Sequence, residues 1–287
     1  MHWVLFAMLG AFFDATYYAL IKKNLTKINP YILSTGIFLI ASIILFTSSY
    51  IKGLPAIGPD FYLAVLVTSI LNILAVLLYF KALKTTDLSL AIPIISFTPI
   101  FLVLTAFLIL KEVPTTAGIF GIGLIVLGSY ILNIKKEKTN ILKPISSLFK
   151  NRGSLYMLLV AFLYSLSTNY DKIAIQNSNP IFASAIICLF ISMTFFIISL
   201  LTSRNELPQI KHHYKIFILA GIIMALAYIT INIALSMQVV SYVIAIKRLS
   251  ILFSIMYGAL LFKEQNIKQR SGGALIMLIG FILIILF

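Results

Sequence analysis

Ten long apolar runs divide this sequence, and they constrain its fold more than any other feature. Each run holds roughly 17–25 mainly apolar residues, the length that an α-helix needs to cross the hydrocarbon core of a bilayer. Seven of the nine prolines lie between runs or at the start of one, where they cost a helix little. The predicted segments are 3–21, 31–50, 60–80, 88–110, 115–133, 154–171, 180–202, 215–237, 240–262 and 271–287.

The composition favours membrane spans over a soluble core. Hydrophobic residues make up 61% of the 287 positions and charged residues only 10%, whereas a soluble domain carries roughly 25% charged residues. A globule in water could not cover that much apolar surface, but lipid solvates it directly. The sequence therefore predicts an all-α integral membrane protein of about ten transmembrane helices, with the lipid bilayer as its main partner.

The charge and the cysteine content exclude several other classes of protein. The net charge is +14, but the basic residues sit mostly in short loops and form no basic face, so we expect no nucleic-acid partner. Cys188 is the only cysteine, so one chain can form neither a disulfide nor a cysteine metal site. His212 and His213 lack acidic or cysteine neighbours. We predict no metal and no cofactor.

The two halves of the chain repeat each other at an offset of 152 residues. The polar stretch from Lys135 to Gly153 separates them, which gives predicted repeats at 1–134 and 154–287 and a basic linker at 135–153. The matches include helix ends and close-packing glycines: Ser89 with Ser241, Lys111-Glu112 with Lys263-Glu264, Gly121 with Gly273, and Gly128 with Gly280. Five helices per repeat make the second copy cross the membrane in the opposite sense. We therefore predict two inverted five-helix repeats, which are typical of alternating-access carriers.

These residues resemble the drug/metabolite transporter superfamily, in particular its paired EamA-type domains, over nearly the whole chain. The resemblance rests on Lys81-Ala82-Leu83, Ser89, Pro93, Pro99, Lys111-Glu112, Gly118, Gly121 and Gly128 in the first half, and on Ser241, Lys247-Arg248-Leu249-Ser250, Lys263-Glu264, Gly272-Gly273 and Gly280 in the second. It implies a secondary transporter or exporter of amino acids, other metabolites or drugs, driven by an ion gradient or by exchange. It implies no single substrate, because one fold serves many solutes.

The function that we predict is secondary transport of a small organic solute across a cell membrane by alternating access, through a central cavity between the repeats. Protons are one candidate for the coupling ion. The alternative is a membrane-embedded enzyme acting on a lipid or an isoprenoid. Such an enzyme would need clustered aspartates for a metal-bound diphosphate or a serine-based triad, and the sequence shows neither. We therefore predict no catalytic residue and no enzyme.

Loop charges predict the orientation of the chain, because short cytoplasmic loops are enriched in Lys and Arg. The loops after the odd-numbered segments carry seventeen of the 22 basic residues. The other loops carry only Lys52, Lys111 and Lys172. This distribution predicts a multi-pass protein of the plasma membrane with both termini outside, whereas the resembled family implies termini in the cytoplasm. We follow the charges.

Asp14 lies near the middle of the first segment, about one turn from Tyr17. An ionisable residue there costs on the order of 2.5–3.5 kcal/mol to insert, so it needs a partner or a function. Its carboxylate could load a proton or hold a cationic group. In the small multidrug exporters of the resembled superfamily an acidic residue precedes a lysine by eight positions, as Asp14 precedes Lys22. The alternative is a structural ion pair with Lys247 or Arg248.

Lys247 and Arg248 are the other charged residues that we place inside a segment, away from its ends. Adjacent helical residues point about 100° apart, so the two cannot both face one cavity squarely. Arg248 is the better candidate for a carboxylate or a phosphate, because a guanidinium binds both oxygens at once. The alternative is a purely structural role for the pair.

Ten uncharged polar or aromatic residues fall at a similar depth. Each alone is more often a contact between helices than a ligand, but as a set they outline a candidate pathway. They are Asn72, Tyr79, Ser96, Thr98, Tyr164, Ser165, Asn169, Tyr228, Asn232 and Ser250. Tyr164 occupies in the sixth segment the place that Asp14 holds in the first, so the repeat keeps a polar group there and changes its charge.

Pro93 and Pro99 are the prolines that lie inside a predicted segment. Each removes a backbone hydrogen bond and exposes a carbonyl that a neighbour must satisfy. They predict either a hinge or broken helix at the solute site, or a static kink. Lys111-Glu112 and Lys263-Glu264 are predicted to be helix-end charges with no solute role.

Overall fold

A computed structural model describes residues 2–22, 28–85, 93–133, 145–146, 151–262 and 271–286, and within them the secondary structure is helical. Ser89, Lys263, Glu264 and most of the predicted linker lie outside these residues. The helices are α1 (His2–Lys22), α2 (Pro30–Lys52), α3 (Phe61–Thr85), α4 (Thr98–Leu110), α5 (Thr116–Asn133), α6 (Arg152–Gln176), α7 (Pro180–Thr202), α8 (Tyr214–Met237), α9 (Val240–Lys247), α10 (Ser250–Phe262) and α11 (Ser271–Leu286). Short helical turns at Arg204–Glu206 and Gln209–His212 precede α8.

The described helices account for every predicted segment. Seven stretches are long and apolar enough to cross a membrane: His2–Ile21, Pro30–Lys52, Phe61–Ala82, Pro93–Leu110, Pro180–Thr202, Tyr214–Met237 and Val240–Tyr257. Two further apolar stretches, Thr116–Leu132 and Gly272–Leu286, are shorter. The 25-residue helix α6 completes the set and carries Asp171 and Lys172. The predicted all-α membrane fold with two five-helix repeats is confirmed.

The sixth segment is longer than the sequence predicts. Hydropathy places its end at residue 171 and Lys172 in the next loop, whereas α6 continues to Gln176. Lys172 is buried and forms an ion pair with Glu112, just beyond the end of α4. Because this pairing offsets the cost of a buried charge, the helix tolerates a lysine there. Counting Lys172 as a loop lysine was therefore wrong, and both Asp171 and Lys172 are ionisable residues within a helix of the bundle.

The contacts between the two halves are symmetric, because exchanging the two repeats converts each helix pair into an equivalent pair. Helix α3 packs against α6 as α1 packs against α8, while α2 pairs with α7 and α5 with α11. Ser42 Oγ donates to the Ala185 carbonyl, and Ser192 Oγ donates to the Thr35 carbonyl, both at 2.9 Å. An offset of 150 residues interchanges these two bonds. The repeat in the sequence is thus a repeat in the packing.

Helices α2 and α7 begin in the same way. Each starts with an Asn-Pro pair, at Asn29-Pro30 and Asn179-Pro180. Asn29 Oδ1 accepts from the Tyr31 backbone N, and Asn179 Oδ1 accepts from the Ile181 backbone N, both at 3.0 Å. The side chain satisfies an N–H that has no partner within the helix, and proline fits the first turn, so both residues fix the helix start.

The paired glycines form a close backbone contact between the repeats. A Cβ atom on Gly128 would lie 2.5 Å from the Gly273 carbonyl oxygen, and one on Gly280 would lie 2.5 Å from the Gly121 carbonyl oxygen. Side chains cannot fit at such distances, so α5 and α11 pack backbone to backbone. Since Gly121 meets Gly280 and Gly128 meets Gly273, the two helices are antiparallel.

The fourth and ninth segments are broken at equivalent positions. The chain turns at Ser96-Phe97 before α4 and at Arg248-Leu249 between α9 and α10, 152 residues later. At the first break, Thr98 Oγ1 donates to the Ile95 carbonyl at 2.7 Å. That carbonyl would otherwise face Pro99, which has no N–H to donate. The second break contains no proline, so proline alone does not explain the interruption, which recurs at the equivalent position of each repeat.

Candidate functional site

Charged and tyrosine side chains from α1, α3, α6 and the end of α9 lie near one another inside the bundle, at the candidate site that we call the central cavity. Its residues are Asp14, Tyr17, Tyr18, Tyr79, Tyr164, Lys247 and Arg248. Electrostatic interactions connect Asp14 with the three tyrosines Tyr17, Tyr18 and Tyr164, and connect Tyr79 with Tyr18 and Tyr164. Tyr18 is 57% exposed and lies within electrostatic reach of Asp14, Tyr79 and Tyr164. The sequence-based set did not include Tyr18.

Asp14 forms an ion pair that crosses between the repeats. Its Oδ1 lies 3.6 Å from Lys247 Nζ, with the side chains 18% and 36% exposed respectively. This distance is longer than a hydrogen bond, so the two charges attract each other without a tight, fixed geometry. The structure therefore contains the ion pair that was one of two alternatives for Asp14. The Lys22 side chain, the other residue of the eight-position spacing, lies outside the described residues.

Arg248 has a different environment from its neighbour Lys247. Its Nε is buried and makes no hydrogen bond to any described residue. Asp14, Tyr18 and Tyr164 lie within electrostatic reach of the guanidinium. A buried N–H group without a partner is costly, and an oxygen atom of a bound solute would satisfy it.

Several of the predicted site residues lie in contacts between helices. Ser96 bonds to Ser129 at 2.8 Å, Asn169 donates to Thr105 Oγ1 at 2.9 Å, and Asn232 donates to Ser184 Oγ at 2.5 Å. These three residues are at most 4% exposed, and Thr98, Ser165 and Ser250 are also buried. In this structure these side chains are buried between helices, and their role in a solute pathway stays a prediction.

Tyr228 lies near the cavity residues, and the two prolines lie beside the break before α4. Tyr228 packs edge-on against Phe38 and interacts electrostatically with Tyr17 and Tyr164, so it belongs to the wall of the cavity. Pro93 and Pro99 flank the break before α4. Their role as a hinge stays a prediction.

A polar cluster between α3 and α6 contains Asn72, Thr68, Ser167 and Asp171. Asn72 Nδ2 lies 2.7 Å from Ser167 Oγ, which lies 2.8 Å from Thr68 Oγ1, and Thr68 Oγ1 lies 2.6 Å from Asp171 Oδ1. The sequence-based set included only Asn72. The sequence does not single out Asp171, because it is the last residue of the predicted segment, where charged residues are common. Among the described residues, no group of three or more His, Cys, Asp or Glu could hold a metal ion.

One end of the bundle is closed by a network that we call the seal. It consists of Glu112, Thr115, Lys172, Gln238, Val240 and Tyr242. Glu112 pairs with Lys172 through Oε1, and its Oε2 accepts from the Val240 N at 2.8 Å. Lys172 Nζ also donates to the Gln238 carbonyl at 2.7 Å, and the Tyr242 hydroxyl accepts from the Thr115 N at 2.8 Å. The seal joins the end of α4, in the first repeat, to α6 and to the start of α9, both in the second repeat.

Comparisons with known proteins agree with this architecture. The model of the EamA-like transporter family matches residues 1–134 and 151–286. An uncharacterized transporter from Methanothermobacter thermautotrophicus is 27% identical over 221 residues, which cover 76% of this chain and 63% of the length of that relative. A solved structure, described only as the crystal structure of a protein, shares 15% identity and a TM-score of 0.78, with 98% of both chains covered. At that identity the likeness concerns the fold alone. Since the family model matches both halves, the chain belongs to the EamA-like transporter family.

Proposed function

We propose that this protein is a secondary transporter that carries a small organic solute with a carboxylate or another anionic group across the cell membrane. The observation that carries the proposal is the buried Arg248 Nε, which has no hydrogen-bond partner among the described residues. A buried N–H of a cationic group that lacks a partner is expensive inside a membrane protein, which favours a functional role for Arg248. The planar guanidinium suits both oxygens of a carboxylate.

The other residues of the central cavity fit a solute of this kind. Tyr17, Tyr18, Tyr79 and Tyr164 present apolar rings with polar hydroxyl tips, which is the usual lining of a small-molecule site. Asp14 and Lys247 add one charge of each sign beside Arg248. Amino acids and other metabolites that carry an anionic group match this set, as do drug-like acids.

Alternating access is the mechanism that the architecture supports. The inverted repeats, the breaks at Ser96-Phe97 and Arg248-Leu249, and the seal at one end provide two related halves that can rock about a central site. In such a cycle the seal opens as its counterpart at the other end closes. The contacts of Glu112 with Lys172 and Val240 are then made in one state and broken in the other.

The loop charges support an orientation in which the seal faces the outer side of the plasma membrane. The seal lies beside the loops that follow the even-numbered segments, in which only Lys52 and Lys111 remain after the reassignment of Lys172. In this orientation both termini lie on the outer side as well. We expect a reporter fused after Phe287 to read as external. A cytoplasmic signal would reverse the orientation.

Proteoliposomes test the transport function directly. A stability screen of the purified protein against carboxylated solutes and their neutral amides first selects binders, since a solute that binds the folded state raises its apparent stability. Flux of the selected carboxylate into vesicles is then measured. We expect Arg248→Ala to weaken binding of the carboxylate by about 10- to 100-fold and to change binding of the amide little.

The matched control is Arg204→Ala, which removes an exposed arginine outside the helices of the bundle. Equal binding of the carboxylate to the parent and to Arg248→Ala would refute the anion site. Chemical conversion of the added solute without flux would favour a membrane-embedded enzyme.

A further inference from the structure

Asp171 is a carboxylate within the bundle that the cavity described above does not use. It lies in α6, five residues before the end of the helix, and is partly buried. Its Oδ1 accepts a hydrogen bond from Thr68 Oγ1, and no ion pair of Asp171 is found among the described residues. Asp14 and Glu112, by contrast, each have a lysine partner.

The hydrogen bonds around Asp171 can all run in one direction, towards its carboxyl group. The Asn72 amide nitrogen can only donate, so Ser167 Oγ accepts from it at 2.7 Å. The Ser167 hydroxyl then donates to Thr68 Oγ1 at 2.8 Å, and the Thr68 hydroxyl donates to Asp171 Oδ1 at 2.6 Å. The chain of donors ends on the carboxyl group of Asp171.

The repeat shows that packing alone does not require this cluster. The two-fold exchange relates the α3–α6 interface to the α1–α8 interface, where the equivalent positions of Ser167, Asp171, Thr68 and Asn72 hold Tyr17, Ile21, Ala220 and Met224. Those four residues pack in one hydrophobic cluster. The fold therefore accepts an apolar contact at this place, and only one of the two copies carries a carboxyl group.

The charged surroundings connect Asp171 with the central cavity. From α9, Lys247 interacts electrostatically with Asp171 while it pairs with Asp14. Tyr228 of α8 and Cys188 of α7 are the other titratable groups within electrostatic reach. Lys172, next in the chain, is turned to Glu112, and α3 contributes only the neutral Thr68 and Asn72. Lys247 therefore pairs with Asp14 of the first repeat and lies within electrostatic reach of Asp171 of the second.

We propose that Asp171 is a proton-binding site that couples proton movement to transport. The inference rests on the proposed transport function. With a proton bound, the carboxyl group is neutral and Lys247 stays with Asp14, as observed. When the proton leaves, the Asp171 carboxylate competes for Lys247, draws α9 towards α6 and displaces the adjacent Arg248. Protonation of one repeat thereby changes the anion site between the two.

Infrared titration of the purified protein tests the site without any solute. We expect a protonated-carboxyl band that disappears as the pH rises, that Asp171→Asn removes and that the matched loop change Asp60→Asn retains. Thr68→Val, which deletes the donor to Asp171, should move the midpoint by about one pH unit. A band unchanged in Asp171→Asn would overturn the proposal, as would a Thr68→Val midpoint equal to that of the parent. Loss of the band on adding sodium at constant pH would also overturn it.

Flux measurements with the carboxylate selected by the stability screen test the coupling. In the parent, an imposed pH gradient should drive accumulation of the labelled solute, and Asp171→Asn should retain exchange of labelled for unlabelled solute but lose accumulation. Accumulation by Asp171→Asn equal to that of the parent would refute coupling at this residue. Absence of both exchange and accumulation in the parent would refute the transport function instead, so the two failures are distinguishable.

Discussion

At the scale of single residues, two adjacent cations have separate partners. Lys247 Nζ lies 3.6 Å from Asp14 Oδ1, whereas Arg248 Nε is buried and makes no hydrogen bond to a described residue. The separation follows from helix geometry, because neighbouring side chains point about 100° apart. One cation therefore pairs with a carboxylate of the other repeat, and the Nε of the next has no partner among the described residues, as the proposed anion site requires.

The first prediction concerns the Asp14–Lys247 pair. Removing either partner leaves the other charge uncompensated inside the bundle, so we expect Asp14→Asn and Lys247→Met each to lower the free energy of unfolding by about 1–2 kcal/mol. The range lies below that of a fully buried pair because both side chains are partly exposed. The double variant should lose less than the sum. Denaturant unfolding in detergent measures the cycle, and additive losses would show that the two charges do not interact.

The sequence predicts some residues of the central cavity but not all of them. Charge inside an apolar run identified Asp14, Lys247 and Arg248, because hydrocarbon makes such residues expensive wherever they occur. Asp171 could not be separated from loop charges, since Lys172 follows it and only the folded chain brings Glu112 to that lysine. Tyr18 lies about one turn from Asp14 in the sequence, but a tyrosine in a membrane helix is as consistent with the lipid interface as with a cavity.

At the scale of helices, the glycines of α5 and α11 determine how closely the repeats approach. Gly121 and Gly128 each face the backbone of α11, whereas a Cβ atom added to Gly123 on the same helix would have no neighbouring atom within 4 Å. The three glycines thus separate the effect of packing from the effect of helix propensity.

The second prediction uses this contrast. A methyl group on Gly128 would meet the Gly273 carbonyl oxygen at 2.5 Å, so Gly128→Ala forces α5 and α11 apart. We expect a loss of about 1–3 kcal/mol in the free energy of unfolding. Gly123→Ala is the control and should be neutral or stabilise the helix by up to about 1 kcal/mol. Equal thermal stability of the two variants in detergent would contradict the close contact between the repeats.

Hydropathy and proline positions predicted all ten helical segments, because lipid leaves little freedom in how an apolar run of this length is placed. They did not predict the break at Arg248-Leu249, which contains no proline. Nor did they predict the extension of α6 to Gln176, because the ion pair that makes it possible joins residues 60 positions apart in the chain. Both features depend on tertiary contacts between the repeats.

At the scale of the whole molecule, the seal joins the two repeats at one end of the bundle through a buried ion pair. Glu112 belongs to the first repeat, and its partners Lys172 and Val240 belong to the second. The glycine contact between α5 and α11 also joins the repeats but contains no charged group. A rocking motion can therefore break the seal while the glycine contact stays intact.

The third prediction tests this division with Glu112→Gln. The change keeps the shape of the side chain but leaves the buried Lys172 without its carboxylate, so the closed state loses stability relative to a state open at this end. We expect backbone amides at 238–242 to exchange with deuterium at least about tenfold faster, while those of α5 and α11 exchange at the parent rate. Lys111→Gln is the matched control, because it removes an exposed charge next to Glu112 in the chain. Equal acceleration in both variants would mean that the loop, and not the ion pair, holds this end closed. Acceleration that spread to α5 and α11 would mean that Glu112 supports the fold as a whole rather than one state of the transport cycle.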